Sequence, residues 1–340
     1  AFAILGPASA TFVDWADATL WQERSYWDAL LAARDAAARQ EADPNLMEHA
    51  PDLWTDKHRG RGRAYSYITL HNIPEIFPHG VPNMWRVGKG MKFADPRAVD
   101  PVAKTWTNNA SLAIAGYLAH VDYGIAAPLE TEHDLAALAA AANADDEEVP
   151  LQGGGTEKRY TANGCFRCDQ PPADILPKLL SANVGKLVLS GGKWTIRSGV
   201  WQEPDLEPFS EKHFRAGFTL RNLLGAQNSF NAIKGTFRNP AKIYQPDDFP
   251  AITSTVYQAD DGGERKFKDV AFDFTTSATQ AQRAARIDLR KARQPLSFTA
   301  PFNLSGLLIQ AGETVPLDDA LFGWSAKPFE AVEAHLRDES

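Results

Sequence analysis

The sequence predicts an α+β chain made of several small β-barrel- or sandwich-like modules with inserted helices. Three observations predict it. Residues 185–201, GKLVLSGGKWTIRSGVW, alternate apolar and polar positions on both sides of Gly191-Gly192. That is the pattern of a β-hairpin whose tight turn needs positive φ. The segment before it, 172–183, places Ile175, Leu176, Leu179 and Leu180 on one helical face. After Trp201, short alternating runs recur at roughly regular spacing with one helical interruption, as in a small barrel or sandwich.

The bulk numbers bound the answer. A chain of 340 residues has room for two or three domains. Its 44% hydrophobic and 23% charged content is an ordinary globular balance that fills real cores. A formal net charge of −8 argues against a general nucleic-acid or anionic-membrane surface. No apolar run approaches the ~20 residues that span a bilayer. Two cysteines are too few for a disulfide scaffold. The opening AFAILGPASATF has no Met and no basic n-region. It reads as an apolar strand entering from further chain, or exposed by processing, and not as a signal peptide. Nine tryptophans, several in strand-like segments, point to dense cores or subunit interfaces.

Taken in order, residues 13–40 read as an amphipathic helix carrying Trp15, Leu20, Trp27, Leu30 and Leu31 on its apolar side. ADPN (42–45) ends it, and 46–63 read as a polar loop with a basic cluster, His58, Arg59, Arg61 and Arg63. Either that cluster is solvated or it meets an acidic partner or a neighbouring subunit. AYSYITL (64–70) alternates as a strand. Prolines 74, 78 and 82 with glycines 80, 88 and 90 then exclude a long helix and fit short strands. ADPRAVDP (94–101) reads as a turn or boundary.

Two helices follow. Asn108 or Asn109 caps one over 110–120, and Thr131 caps a second, TEHDLAALAAAANA, with Leu135 and Leu138 facing inward. ADDEEVP (144–150) reads as an acidic loop and KRYTANG (158–164) as a strand and turn. Beyond the hairpin, 214–220, 229–237, 252–257 and 268–274 read as strands. Ser277 caps a helix over 278–293 that Pro295 terminates. Residues 296–300, 306–310 and 314–317 close the chain as short strands.

The residues offer little chemistry. Cys165-Phe-Arg-Cys168 is the only CxxC, and no second CxxC or paired histidines complete a zinc site. On a strand the two sulfurs would face opposite sides. They read as packing or exposed thiols, with a redox pair or a metal site shared across a symmetry axis as alternatives. The histidines are scattered, and His133 reads as solvated at a helix start. Asp145-Asp146, Asp247-Asp248 and Asp260-Asp261 sit in turn-like contexts without an apolar pocket to shift a pKa. GGGTEK (153–158) lacks the GK[ST] ending of a phosphate loop. The residues thus nominate no catalytic, cofactor-binding or metal-binding site.

Wording carries more than period. RYTANG (159–164), SGGKWTIRSG (190–199), SFNAIKGTF (229–237), YQPDDFP (244–250), ADDGGERKFKDV (259–270), FTTSATQAQRAARIDLRKARQ (274–294) and IQAGETV (309–315) stand in that order. Upstream come DPNLMEHAPDLWTDKHRGRGRAYSYITL (43–70), FPHGVPNMWRVGKGMKFADPR (77–97) and WTNNASLAIAGYLAHVDYG (106–124). Together the blocks, over roughly residues 40–330, resemble the tip attachment protein J family of lambda-like phages.

That resemblance implies a homotrimeric hub at the distal end of a virion tail. Such a hub closes the tail tube, meets the distal tail protein, other tail-tip proteins and the tape-measure protein, and carries the central fibre toward a host receptor. It implies modules similar to phage baseplate hub proteins: an N-terminal hub domain over 1–103, an α+β hub domain with the helix–hairpin unit over 104–210, a β-barrel-like domain over 211–330, and a tail over 331–340. It brings no catalytic residue, cofactor or metal. Family members are usually longer, so the chain reads as the hub portion of a longer protein, or as one whose receptor-binding part is a separate chain. A net acidic chain lining a tube would repel DNA and ease its passage. Two other readings remain. One is a saccharide-binding module using Trp54 or Trp85. The other is a hub-associated cell-wall hydrolase using Asp260, Asp261 and Glu264, since glycoside hydrolysis needs paired carboxylates.

Overall fold

The computed structural model describes residues 2–5, 41–59, 65–68, 87–101, 103–222 and 230–335. The expected helix over 13–40 and the strands over 71–86 lie outside these residues. The chain forms two units, Ala1–Gly90 and Met91–Ser340.

In the first unit, β1 (Phe2–Leu5) pairs antiparallel with β2 (Tyr65–Ile68), from Phe2 opposite Ile68 to Leu5 opposite Tyr65. Between them in sequence lies α1 (Pro44–His49). The expected helix stop at 42–45 is in fact a helix start. Asp43 Oδ1 accepts from the amides of Asn45 (2.8 Å) and Leu46 (3.2 Å), and Pro44 fills the first helical position, where its missing N–H costs nothing.

The described residues of the second unit form three cores. In the first, β3 (Lys92–Ala94) pairs with β4 (Lys104–Trp106) and leads to α2 (Ala110–Leu118). Asn109 caps α2 through Leu112 N at 3.1 Å, and its amide donates to Ala142 O at 2.8 Å. Every residue of α2 except Gly116 is buried, so this helix is enclosed on all sides rather than amphipathic. Gly116 is required: a Cβ there would enter the Phe93 ring.

The next helix departs from expectation. A single turn, α3 (Leu129–Glu132), breaks at His133, and α4 (Leu135–Asp146) starts afresh. Its cap is Asp134, accepting from Ala137 N at 3.0 Å, and not Thr131. Leu138 is buried as expected, but Leu135 is partly exposed. The anticipated acidic loop is instead the last turn of α4 followed by β5 (Glu148–Pro150), which pairs with β6 (Thr156–Lys158) across the GGG turn. Beyond β6, KRYTANG contributes only an isolated bridge, Thr161 to Asn109. α5 (Pro172–Ser181) buries Ile175 and Leu179 as its spacing predicts. It feeds the hairpin of β7 (Lys186–Ser190) and β8 (Lys193–Arg197), whose Gly191 and Gly192 take φ of +57° and +76°.

Asp145, at the end of α4, binds this core together. Its Oδ2 accepts from Ser111 N (2.7 Å), Ser111 Oγ (2.6 Å) and Asn183 Nδ2 (3.3 Å), and its Oδ1 from Ser198 Oγ (2.5 Å). All four residues are buried. One carboxylate thereby ties the start of α2, the end of α4, the exit of α5 and the exit of β8.

β9 (Thr219–Asn222) belongs to the third core. In the second core, β10 (Ala232–Asn239) is central. It pairs antiparallel with β11 (Gln245–Asp248) and β12 (Ile252–Thr253), and parallel with β13 (Phe267–Phe272). The expected strand over 252–257 stops after two residues, because Ser254 caps α6 (Thr255–Asp260) through Tyr257 N. α7 (Ala278–Ala292), capped by Ser277 as its sequence predicts, packs Ala281, Ala284, Ala285 and Leu289 against Ile233, Phe237 and Phe272.

α7 also joins the first two cores. Buried Gln280 accepts from Thr161 N and Oγ1 and donates to Thr161 O (2.8 Å) and Ala182 O (2.9 Å). Glu157 takes Ser277 Oγ and Thr279 Oγ1 at 2.7 Å and Arg283 at 2.8 Å.

The third core pairs β9 with β14 (Leu296–Thr299), and β15 (Thr314–Asp319) with β16 (Trp324–Glu330). Phe214 contributes only a bridge to Phe302, short of the strand expected over 214–220. The expected strand over 306–310 is a 3₁₀ turn, Leu304–Leu308. The described sheets are small, mostly antiparallel and mostly two-stranded, and none closes into a barrel. The barrel expectation fails because every described strand but β10 pairs with a single neighbour, so no sheet can close on itself.

Two outcomes test these joints. Burial pushes the Asp145 carboxyl up to about 6 from 3.8, against the pull of its hydrogen bonds to Ser111, Ser198 and Asn183. A carboxyl raised in the fold stabilises fully below its unfolded pKa, and that contribution is lost as pH rises through the folded value. Urea unfolding of Asp145→Asn should therefore gain on wild type by up to about 3 kcal/mol between pH 4 and pH 7. A pH-independent difference would show that Asp145 does not titrate there. Gln280→Leu strands two buried carbonyls and should cost about 3 kcal/mol in the same assay.

Candidate assembly surface

The residues singled out for chemistry are dispersed and engaged. Asp145 is buried, so the turn-like reading of Asp145-Asp146 fails, because α4 carries Asp145 into the core. Asp146 pairs with Lys158 (2.7 Å) and Arg97 (2.9 Å), and these bonds hold its carboxyl below the ordinary range despite partial burial. Asp247 accepts from Lys242 (2.6 Å) and Asn239 (2.7 Å) across the β10–β11 loop. Asp261 is held by Arg293 at 3.0 Å and by Asn231 Nδ2 at 2.8 Å, while Asp260 and Glu264 are exposed. The carboxylates of the hydrolase reading therefore do not converge on a cleft.

The described histidines are likewise dispersed. His133, expected in solvent, is 1% exposed, because its backbone bridges Trp194 of β8 at the break between α3 and α4. Desolvation holds its pKa below the ordinary value. His120 stacks on Tyr123 at 3.6 Å between centroids, and His213 closes a capping box with Ser210. His58 lies tilted against half-buried Trp54, with ring centroids 5.5 Å apart. His71, His79 and Trp85 lie outside the described residues.

Cys165 and Cys168 are free and exposed, on a loop and not a strand. Phe166 between them anchors that loop, edge-on to Tyr117 at 5.3 Å and to Tyr123 at 5.4 Å. Burial pushes the Tyr123 hydroxyl up to about 12. Among the described residues no three His, Cys, Asp or Glu side chains gather as metal ligands, and no helix is long and apolar enough to cross a membrane. Both thiols should react with a thiol-specific reagent in the native chain without denaturant, in a ratio of 2 per chain. A lower count would mean that the loop hides or pairs them.

What the third core does present is apolar surface. Leu304 is 84% exposed, Leu307 62%, Leu308 63% and Leu321 82%, with Phe322 at 41%. A run of rings connects the two ends. A Cβ at Gly306 would press on Phe302. Phe302 meets Phe214 at 5.1 Å, Phe214 meets Phe218 at 6.1 Å, and Phe218 meets Phe322 at 6.0 Å. Elsewhere Trp201 is 67% exposed beyond the hairpin. Sequence period missed these leucines, because alternation says which residues share a side and not whether a neighbour covers it.

No family model matches the sequence, and no curated protein matches it. Among solved structures, the 43 kDa tail protein of prophage MuSo2 from Shewanella oneidensis aligns at 11% identity over 49% of this chain and 54% of that one, with a TM-score of 0.29. Prophage tail protein gp18 from Listeria monocytogenes EGD-e aligns at 12% identity over 52% and 49%, with a TM-score of 0.25. The chain spans about half the length of each.

Proposed function

We propose that this chain is a structural component of a phage tail tip and not an enzyme. In this reading it is a trimeric hub that closes the tail tube, meets the distal tail and tape-measure proteins, and carries the central fibre for host attachment and DNA delivery. One observation supports the reading above others. The blocks that resemble the tip attachment family hold residues that fix single cores or join one core to the next. RYTANG holds Thr161 and SGGKWTIRSG holds Ser198. ADDGGERKFKDV holds Asp261, and the block over 274–294 is α7 with Gln280 and Arg293. The likeness therefore lies in residues that fix architecture, as a scaffold subunit requires, and not around a cleft. Exposed ribbons and an uncovered apolar face suit a chain completed by assembly partners.

Electron microscopy of immunogold-labelled virions tests it. Label should sit at the distal end of the tail, and particles lacking the chain should carry tails without a closed tip. Label on the head, or none on virions, would overturn the reading.

A further inference from the structure

We infer that residues 124–134 form an acid-released strap, fastened while the His133 imidazole is neutral and let go when that ring gains a proton. The inference is independent of the tail reading and gives the first core a conformational device. Three features of the segment carry it.

The first is the burial of His133 without partners. The residue is 1% exposed, and neither Nδ1 nor Nε2 has a hydrogen-bond partner in the protein. An unmatched neutral ring costs far less in such a place than an imidazolium, which brings a charge and two donors. The Ala127 carbonyl favours the charged form but stands outside hydrogen-bonding geometry. Proton uptake therefore needs the ring to reach water.

The second is the charge around it. Glu132 on α3 precedes the ring and is exposed, and its pull on a charged imidazole is smaller than the penalty of burial. Asp134 follows, but its carboxylate is turned onto Ala137 N at 3.0 Å. On β8 the bridged residue is Trp194, and the neighbouring Lys193 is exposed. Beyond α2, His120 is stacked on Tyr123, with its Nδ1 accepting from Asp122 N at 3.2 Å. None of these groups accepts a hydrogen bond from the His133 ring.

The third is the fastening. Ile125 N and Ala127 N donate to Leu118 O at 3.3 and 3.0 Å, and Gly124 N and Ala126 N donate to His120 O at 3.1 and 3.3 Å. At the other end Asp134 N donates to Trp194 O at 3.0 Å. Ala126 takes φ of +55°, a left-handed conformation that a residue with a Cβ adopts at a cost. Between the fastenings, α3 is one turn without a side-chain cap or a buried residue. Apart from partly buried Leu129, the strap commits only Ala127 and His133 to the interior, so little apolar area opposes its release. Release detaches α3 from β8, the strand whose Arg197 pairs with Glu313 at 2.8 Å.

The test is hydrogen exchange of the whole chain between pH 7 and pH 5, corrected for the intrinsic pH dependence of exchange. A histidine held below its ordinary value stabilises the closed form above that value, and the contribution is lost as the open form takes up its proton. Wild-type amides over 124–134 should therefore lose protection below about pH 6.5, by up to about tenfold per pH unit, the slope of one proton. Asp145 titrates with the opposite sign and cannot produce that loss. Amides of α7 should keep their protection over the same range. His133→Phe and His133→Leu should each flatten the response of the strap. Nuclear magnetic resonance of wild type supplies a readout free of mutation: the His133 ring proton should titrate below about pH 6.5. Steady protection over 124–134 from pH 7 to pH 5, an acid loss that persists in both variants, a loss shared equally by α7, or a ring that titrates at or above its ordinary value would overturn the inference.

Discussion

The Asp145 carboxylate is the constraint on which the second unit depends. Burying a charge costs several kcal/mol unless donors replace its water, and here Ser111, Asn183 and Ser198 supply them from three other segments. Because these donors come from separate elements, the carboxylate is satisfied only when α2, α4, α5 and β8 stand in one arrangement. The bond to Ser198 fixes where the β7–β8 hairpin ends. That hairpin in turn receives the third core: Arg197 of β8 pairs with Glu313 at 2.8 Å, and Lys186 of β7 pairs with Glu330. A buried polar group is thus converted into the placement of a distant module.

The second joint works by hydrogen bonds rather than charge. Gln280 uses its carbonyl and both amide hydrogens, so the register of α7 against residues 161 and 182 is specified to within a single helical position. Alanines on the adjoining face of α7 let it lie close against the β10 sheet. Farther along the same helix, Arg293 closes on Asp261 with Tyr257 beneath its guanidinium at 5.1 Å. One helix therefore carries three functions in sequence: a cap and carboxylate at its start, an apolar contact in the middle, and a buried ion pair at its end.

Much of this architecture is legible in the sequence, and the losses have physical causes. Gly191-Gly192 declares its turn because few residues tolerate those dihedrals, and Asn109 and Ser277 declare their helices because caps are local. Local competition explains the misses. Thr131 and Asp134 both precede an alanine-rich run, and the backbone bridge at His133 decides for Asp134. Ser254 ends a β-branched run that otherwise continues as a strand. Pro328 within β16 hides that strand, since proline is tolerated there on a ribbon edge. Asp145 was illegible for another reason: its environment is assembled from residues 34 to 53 positions away. The candidate surface was the least legible feature, because exposure belongs to the packed chain and not to any window of it.

The three cores differ in what they enclose, and the difference bears on function. The first buries a whole helix and the second a sheet against α7, whereas the buried apolar cluster of the third, among the described residues, is Phe209, Val315 and Leu317. Its remaining rings, Phe298, Phe302, Trp324 and Phe329, are only partly covered. A module that small loses a large share of its apolar contribution to solvent, since the buried fraction falls with size. Its ties to the first core are ion pairs at the rim, which orient it but add little stability. The uncovered leucines therefore add to the apolar surface that the third core leaves outside its own packing.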